Sequence, residues 1–429
     1  MQLRYAYRLD PMPAQRIALA KAFGCARVVF NDALRARQDA YAAGLPCPSG
    51  GELSKRIITE AKKTPERAWL GEVSAVVLQQ ALADLNTAYR NFFTSLTGKR
   101  KGPKAAPPRF RSRKDNRQAI RFTRNAKFAI TAGGKLRLPK IGDVTVHWSR
   151  PLPAEPSSVT VIKDAAGRYF ASFVIQVGEQ PLTPVESEAG IDLGLSHFAV
   201  LSDGRKIDSP RFLRRAEKKL KRLQRALARK QPGSNNRTRA RLAVARQHAR
   251  VTDARRNFHH QLSTKLIRDN QAIHVEDLAI NGLARTSLAK SVHDVGWSSF
   301  LAMLEYKARL YGRTFHRIDR WFPSSRQCST CGTVTDSMPL NVRSWACTCG
   351  AIHDRGSRPP RQPPSALTAH RPRPRRPAGR MAGRSYWRES SVPKSPRKHG
   401  MSAWSTVGHS EVIGRRERSA RGWLRRSPI

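Results

Sequence analysis

The stretch Ala189-Gly190-Ile191-Asp192-Leu193-Gly194-Leu195 decides the fold, because it sets a single carboxylate inside an apolar run. The run continues through residues 198–201 and closes at Asp203-Gly204, which is typical of a buried strand that enters a hairpin. A buried carboxylate needs a partner, since an unpaired charge in the interior is costly. At a catalytic centre that partner is commonly a metal ion, whereas a local cap or hydrogen bond is the alternative for an isolated Asp-x-Gly.

A second acid is predicted at the end of another buried strand, Gln271-Ala272-Ile273-His274-Val275-Glu276-Asp277-Leu278. Two basic helices, at residues 212–230 and about 238–269, separate it from the first strand, because apolar residues recur there at helical spacing. Two strands that each deliver one acid across a helical crossover suit a two-metal phosphodiesterase, whose cations lie about 3.5–4 Å apart. Pairing of Glu276 with Arg or Lys is the alternative, and both interpretations stay open on the residues alone.

The composition points to a polyanionic partner. Lys and Arg number 80 against 31 acids in 429 residues, a formal net charge of +49. Such an excess repels itself unless polyanions are near, so we expect nucleic acid and disfavour a membrane surface. The sequence contains neither a signal peptide nor an apolar run of about 18 residues, which predicts a cytoplasmic protein.

Four of the six cysteines crowd into residues 328–349 as two pairs, Cys-x-x-Cys-Gly and then Cys-x-Cys-Gly. In a reducing compartment such a cluster indicates a metal rather than disulfides. Two cysteine pairs on two short hairpins predict a tetrahedral zinc site, a zinc ribbon. The predicted ligands are Cys328, Cys331, Cys347 and Cys349. Because the second pair is Cys-x-Cys, His353 is an alternative ligand.

The N-terminal part combines strands with helices. Residues 2–10 are predicted as a strand, and residues 13–34, 53–63 and 74–96 as helices. Alternating apolar residues from 119 to 177 predict a small β barrel or sheet. The first strand is a candidate to close this barrel, in which case the helices between are an insertion.

A basic loop joins these helices to the sheet. Arg and Lys bind phosphates, and Phe110, which stands between arginines, can stack on an unpaired base. A solvated loop without a ligand is the alternative. The candidate nucleic-acid-binding residues are Lys99, Arg100, Lys101, Lys104, Arg109, Arg111 and Arg113.

The order of these motifs resembles the TnpB/OrfB family of insertion-sequence transposase-like proteins, relatives of the type V CRISPR effectors. The resemblance rests on G-I-D-L-G, V-E-D-L, W-F-P-S-S-R-Q-C-S-T-C-G and W-A-C-x-C-G-A-x-H-D-R, and it runs from residue 1 to about 355. It implies a multidomain α+β and α/β chain. The implied parts are a wedge-like β barrel (1–11 and 105–180), an inserted helical nucleic-acid-binding lobe (12–104), an RNase H/RuvC-like core (186–322), an inserted zinc ribbon (323–353) and a basic tail (356–429).

The resemblance also implies an activity. Members of the family are expected to cut DNA under the guidance of an RNA from the transposon end, in the bacterial cytoplasm at the nucleoid. Three acids would hold catalytic Mg²⁺, while Zn²⁺ is structural. Asp192 matches the first acid and Glu276 the second.

The third acid is where this sequence departs from the family. Gly356 follows His353-Asp354-Arg355 at the position of the expected Asp, and no Asn-Ala-Ala comes after it. Residues 357–429 are instead rich in Arg, Pro and Ser without helical or strand periodicity, so they cannot bury enough apolar surface to fold. A shifted reading frame explains the abrupt change, and a genuine disordered tail is the alternative.

Three interpretations of function therefore stay open. Loss of one acid weakens a metal clamp, which favours an impaired protein that still binds nucleic acid. An active nuclease would need Asp354 as a substitute, but on a helix a residue two positions away points to nearly the opposite face. A conventional strand-transferring transposase is the third interpretation.

Overall fold

Two larger β-sheets, the helices packed on them and a two-stranded sheet make up the described part of the chain. The structure is a computed structural model that describes residues 1–115, 117–319, 326–328, 330–335 and 344–354, without the side chains of Asn281, His353 and Asp354. Gly356 and the basic tail lie outside the described residues. Within the described ranges, no helix combines the length and apolarity needed to cross a membrane.

The first sheet is an antiparallel half-barrel. Its strands in chain order are β1 (Gln2–Asp10), β2 (Gln118–Thr123), β3 (Ala129–Ile130), β4 (Leu136–Leu138), β5 (Gly142–His147), β6 (Ser158–Lys163) and β7 (Tyr169–Gln176). Their order in space is β2-β6-β7-β1-β5-β4-β3, so β2 and β3 are the two edges.

Strand β1 lies at the centre of this half-barrel. It pairs with β7 from Gln2 to Leu9 and with β5 from Arg8 to Asp10, antiparallel in both cases. The sequence predicts a strand that closes a barrel, whereas the structure uses β1 to join the β2-β6-β7 half of an open sheet to the β5-β4-β3 half. Without β1, each half would present an unpaired edge.

Three helices between β1 and β2 cover this sheet. They are α1 (Pro13–Ala42), α2 (Gly50–Ser54) and α3 (Ala75–Leu96), with a π-helix at Lys55–Glu60 and 3₁₀ turns at Ala61–Lys63 and Ala68–Glu72 after α2. Pro13 stands in the first turn of α1, where its missing N–H costs no hydrogen bond. Leu19 and Leu78, both fully buried, pack with Phe173 of β7 in one continuous hydrophobic core.

The second sheet is mixed and carries the two predicted acids. Its strands are β8 (Glu188–Asp192), β9 (His197–Leu201), β10 (Lys206–Asp208), β11 (Ala272–Glu276) and β12 (Thr314–Ile318), in the order β10-β9-β8-β11-β12. Strands β8, β11 and β12 are parallel, and β9 and β10 run antiparallel to their neighbours.

The apolar run around Asp192 forms two strands rather than one. Strand β8 ends at Asp192, and the chain turns through residues 193–196 before β9 begins. A Cβ on Gly194 would lie 3.2 Å from the carbonyl oxygen of His197, so the tight turn favours glycine. Asp192 therefore stands at the end of a strand, not inside one.

Helices fill the connections from β10 to β11 and from β11 to β12. They are α4 (Phe212–Ala228), α5 (Asn235–Asp269), α6 (Ile280–Leu283), α7 (Ala289–Val295) and α8 (Trp297–Leu310). Ile267 of α5 and Phe300 of α8 pack on Ile273 in the core below the sheet. The carboxylate of Asp294 in α7 accepts hydrogen bonds from the backbone N–H groups of Leu213 (2.8 Å) and Arg214 (3.3 Å), so it caps the first turn of α4.

Candidate metal centres and nucleic-acid interface

Asp192 and Glu276 come together at one edge of the second sheet. Ile191 pairs with Val275 in parallel register, and each acid is the next and last residue of its strand. Neighbouring strands lie about 4.8 Å apart, so the two carboxylates point to the same face at close range. Both residues are half-buried and offer oxygen ligands of the kind that Mg²⁺ prefers.

The position of Asp192 at the end of β8, beside Glu276, affects the pKa of its carboxyl group. Burial and, second, the negative charge of Glu276 raise the pKa of Asp192 from 3.8 to about 6. Two carboxylates that share a site disfavour each other's ionisation, and a cation between them would relieve the repulsion. The pair therefore has the charge and the donor atoms of a divalent-cation site.

His274 lies on the same face and was not indicated by the sequence analysis. It precedes Glu276 by two residues on β11, so both side chains project from one side of the sheet. Its Nε2 lies 3.3 Å from Oε2 of Glu188, and its ring stacks on His316 with centroids 5.1 Å apart. The sequence signal that could have revealed His274 is its position two residues before Glu276 in a strand, because alternate residues of a strand share a face.

The four clustered cysteines form a compact thiolate group. Their sulfur atoms all lie within 4.8 Å of one another, and Cys328–Cys349 and Cys331–Cys347 are each 3.5 Å apart. Zn–S bonds of about 2.3 Å in a tetrahedron give S···S separations of about 3.8 Å, so the cluster matches a zinc site and is too wide for disulfides.

Two glycine turns shape this cluster. The N–H of Gly332 donates to the carbonyl of Cys328, and the N–H of Gly350 donates to the carbonyl of Cys347, each at 2.9 Å. Both glycines have positive φ, +79° and +84°, which side-chain-bearing residues rarely adopt. The Cys-x-Cys pair thus reaches the cluster by a shorter turn than the Cys-x-x-Cys pair, and all four sulfurs meet there. The side chain of His353, the alternative ligand, lies outside the described part of the chain.

Asp354 belongs to the hairpin beside the cysteines. Strands β13 (Ser344–Ala346) and β14 (Ile352–Asp354) form a two-stranded sheet in which Asp354 pairs with Ser344. The backbone of Asp354 is therefore extended rather than helical, and it belongs to a different sheet from Asp192 and Glu276.

The cations of the basic loop differ in their contacts with the rest of the protein and in their exposure to solvent. Arg111 ion-pairs with Asp84 at 3.2 Å, and its guanidinium lies 3.8 Å from the ring centroid of Phe30, so this side chain braces α1 and α3. Arg109 is exposed, and Phe110 remains 46% exposed under Arg35. The other loop cations are exposed as well: Lys99, Arg100, Lys101, Lys104 and Arg113.

Comparison with known families agrees with this architecture. The OrfB_IS605 profile, described as "Probable transposase", matches residues 172–287, and a "Cas12f1-like, TNB domain" profile matches residues 297–356. A profile described as "Helix-turn-helix domain" matches residues 1–45. In the structure those residues form β1 and the single long helix α1 rather than two helices joined by a turn.

Curated relatives match over most of their length. A "Putative RNA-guided DNA endonuclease" of Streptomyces pristinaespiralis is 44% identical over 355 residues, covering 82% of this chain and 86% of the relative. The "Putative RNA-guided DNA endonuclease InsQ" of Escherichia coli K12 is 30% identical, covering 80% and 86%. A solved Cas12f1–sgRNA–target DNA complex shows a weak overall likeness, with a TM-score of 0.45 and 12% identity over 75% of this chain and 76% of its own. At 44% identity over this span, the chain belongs to the TnpB/OrfB family of insertion-sequence transposase-like proteins.

Proposed function

We propose that this chain binds a guide RNA and DNA, and that its RuvC-like cleavage centre is impaired. The observation that carries the proposal is the acid pair, Asp192 and Glu276, at the carboxyl ends of adjacent parallel strands. The partners follow from the curated relatives, which are named as RNA-guided DNA endonucleases, and from the net charge of +49.

The chemistry of the site supports both the cleavage activity expected of the family and the impairment that we propose for this chain. Asp192 and Glu276 would hold divalent cations that stabilise the charge on a phosphodiester during hydrolysis. A third acid is expected at position 356, where this chain has glycine. With one ligand missing, the two remaining carboxylates hold the cations loosely. The rate of hydrolysis falls because the cations are bound less often and are placed less accurately.

Asp354 is the one candidate substitute near that position. Its backbone is paired with Ser344 next to the cysteine cluster, which ties it to a separate two-stranded sheet. We favour the impaired protein over an active nuclease that uses Asp354, because the family pattern puts the third acid at position 356, where this chain has glycine.

The cysteine cluster has a structural role in this proposal. Cys328, Cys331, Cys347 and Cys349 would hold one Zn²⁺, which fixes two hairpins too small to have a hydrophobic core of their own.

A cleavage assay tests the proposal. Three proteins are compared with matched guide RNA, target DNA and Mg²⁺: this chain, a variant whose reading frame is restored after Arg355 so that Asp stands at 356, and the restored variant with Asp192→Ala. We expect cleavage from the restored variant alone. Equal cleavage by this chain would show that Gly356 is tolerated, and cleavage by the Asp192→Ala protein would remove Asp192 from the site.

A further inference from the structure

A basic cleft of about 470 Å³ lies between the β6–β7 hairpin and helix α5. Six cations line it. Arg16 is paired with Asp10 at 3.3 Å, and we call the other five the cleft cations: Arg113, Lys114, Lys163, Arg241 and Arg246. Lys163 ends β6 and Arg241 belongs to α5, so residues far apart in the chain meet only in the folded protein. No local sequence pattern marks this convergence.

The cleft cations are not neutralised by the protein. Among the residues that the structure describes, none of the five forms an ion pair with a carboxylate. Of the two acids that line the cleft, Asp164 is paired with Nε of Arg168 at 2.7 Å, whereas Asp115 accepts from the backbone N–H of Ser112 at 3.0 Å and keeps its charge. Five cations against this one carboxylate leave the cleft strongly positive, and an excess of positive charge in a concave surface focuses the field and attracts anions.

The walls of the cleft are held in place by contacts outside it. Arg168 at the start of the β7 wall ion-pairs with Asp253 of α5 as well as with Asp164. Gly167 has φ +77°, and a Cβ there would lie 3.6 Å from Cδ1 of Leu242, so the hairpin turn touches α5 closely. Arg241 and Arg246 flank Leu242 on the helix surface, and they therefore face the cleft from a braced wall.

The cleft continues the basic loop. Arg113 and Lys114 follow Arg109 and Arg111 directly, so a strand that lies along the loop runs into the cleft without leaving positive charge. A single phosphodiester backbone fits a narrow basic groove of this kind, because the contacts are to phosphate and independent of base sequence.

We propose that this cleft is a phosphodiester-binding site that grips one strand of a bound nucleic acid through Arg241, Arg246 and Lys163. The inference rests on the proposed binding of nucleic acid and adds the place at which a backbone is held. The cleft would recognise the backbone phosphate, which RNA and DNA share, so the test compares an RNA probe with a DNA probe.

The test uses the full-length protein and fluorescence anisotropy with single-stranded RNA, single-stranded DNA of the same sequence and the corresponding duplex. The variant is Arg241→Ala with Arg246→Ala. The matched control is Arg239→Ala with Arg250→Ala, which removes the same charge from exposed positions of the same helix outside the cleft. A third protein, Arg241→Lys with Arg246→Lys, keeps the charge at the cleft.

We expect the cleft variant to lose about tenfold in affinity for at least one of the three probes, and its slope of log K against log salt to fall by about one to two. The control should change less in both quantities, and the lysine protein should retain most of the affinity. The probe that loses most identifies the strand in the cleft.

Two failures are distinguishable. If the wild-type protein binds the probes but the cleft variant and the control lose affinity and slope equally, the cleft is not a site, and the proposed function stands. If the wild-type protein binds none of the three probes at low salt, the proposed function falls and the cleft with it.

Discussion

Asp192 and Glu276 stand side by side at the carboxyl ends of two adjacent parallel strands, and the charge of Glu276 adds to the burial that raises the pKa of Asp192 to about 6. In open sheets with parallel strands, this edge is where ligands bind. The arrangement stores electrostatic strain in the metal-free protein, and a cation would relieve it.

Replacing Asp192 with Asn should therefore stabilise the metal-free protein at neutral pH. The folded-state pKa of about 6 lies above the ordinary 3.8, so the folded protein binds the proton more tightly than the unfolded chain. We compare the free energy of unfolding of the wild-type protein with that of Asp192→Asn. The wild-type value should be at its highest relative to the variant below about pH 4, and it should fall by up to about 3 kcal/mol as pH rises through 6.

Thermal melts from pH 4 to pH 8 in the presence of a chelator measure this difference in Tm. Added Mg²⁺ should shift the wild-type Tm upward at pH 8 and leave that of Asp192→Asn nearly unchanged. A difference in Tm that stays constant across the pH range would contradict the assigned environment of Asp192.

The cysteine cluster should hold one zinc ion per chain, measured by atomic absorption. Cys328→Ser should release the metal and unfold the two hairpins locally, because the substitution removes one of the four clustered thiolates that would hold it. Cys47→Ser is the control, since Cys47 is exposed and outside the cluster, and it should keep full zinc content. Wild-type protein purified without zinc would refute the assignment.

Substitution of Arg109 should affect nucleic-acid binding, whereas substitution of Arg111 should affect the stability of the fold. Arg111→Ala removes an ion pair and a cation–π contact, and it should lower the free energy of unfolding by about 1–2 kcal/mol. Arg109→Ala touches only an exposed side chain, and it should weaken RNA or DNA binding while the denaturation midpoint stays unchanged. The opposite pattern would place the nucleic-acid contact at Arg111.

Asp294→Ala should destabilise the first turn of α4 by about 1–2 kcal/mol, because two backbone N–H groups lose their acceptor. Hydrogen exchange of the amides of Leu213 and Arg214 measures the local effect. Asp39→Ala, at an exposed position of α1, is the control and should leave these amides protected as in the wild type. Unchanged exchange in Asp294→Ala would show that the cap contributes nothing.

The affinity for nucleic acid should fall steeply as salt rises, because phosphate contacts release condensed counterions. The net charge of +49 is the reason for this expectation. Titrations at several salt concentrations measure the slope, and an affinity independent of salt would show that the basic surfaces are not used.

Sequence patterns predicted the chemistry of the chain better than its long-range pairing. Acid 276 stands at the end of an apolar run, acid 192 stands within one, and the cysteine spacing is a local signal that the structure reproduces as a cluster. The end of β8 at Asp192 was missed because hydropathy does not register the turn that Gly194 permits. The roles of Arg111 and of the cleft cations depend on contacts with residues that are distant in sequence, and a local sequence pattern does not reveal such contacts.

The central position of β1 has a consequence for how the protein is made. Gln2 pairs with Gln176, so the first strand leaves the ribosome roughly ten to thirty-five seconds before its partner at ordinary rates of translation. Helices α1 and α3 can form from local contacts during this interval, whereas the edge of β1 that pairs with β7 stays unpaired. Nascent chains that stall before β7 therefore expose an aggregation-prone strand edge, and the half-barrel is complete only after the last of its seven strands has been synthesised.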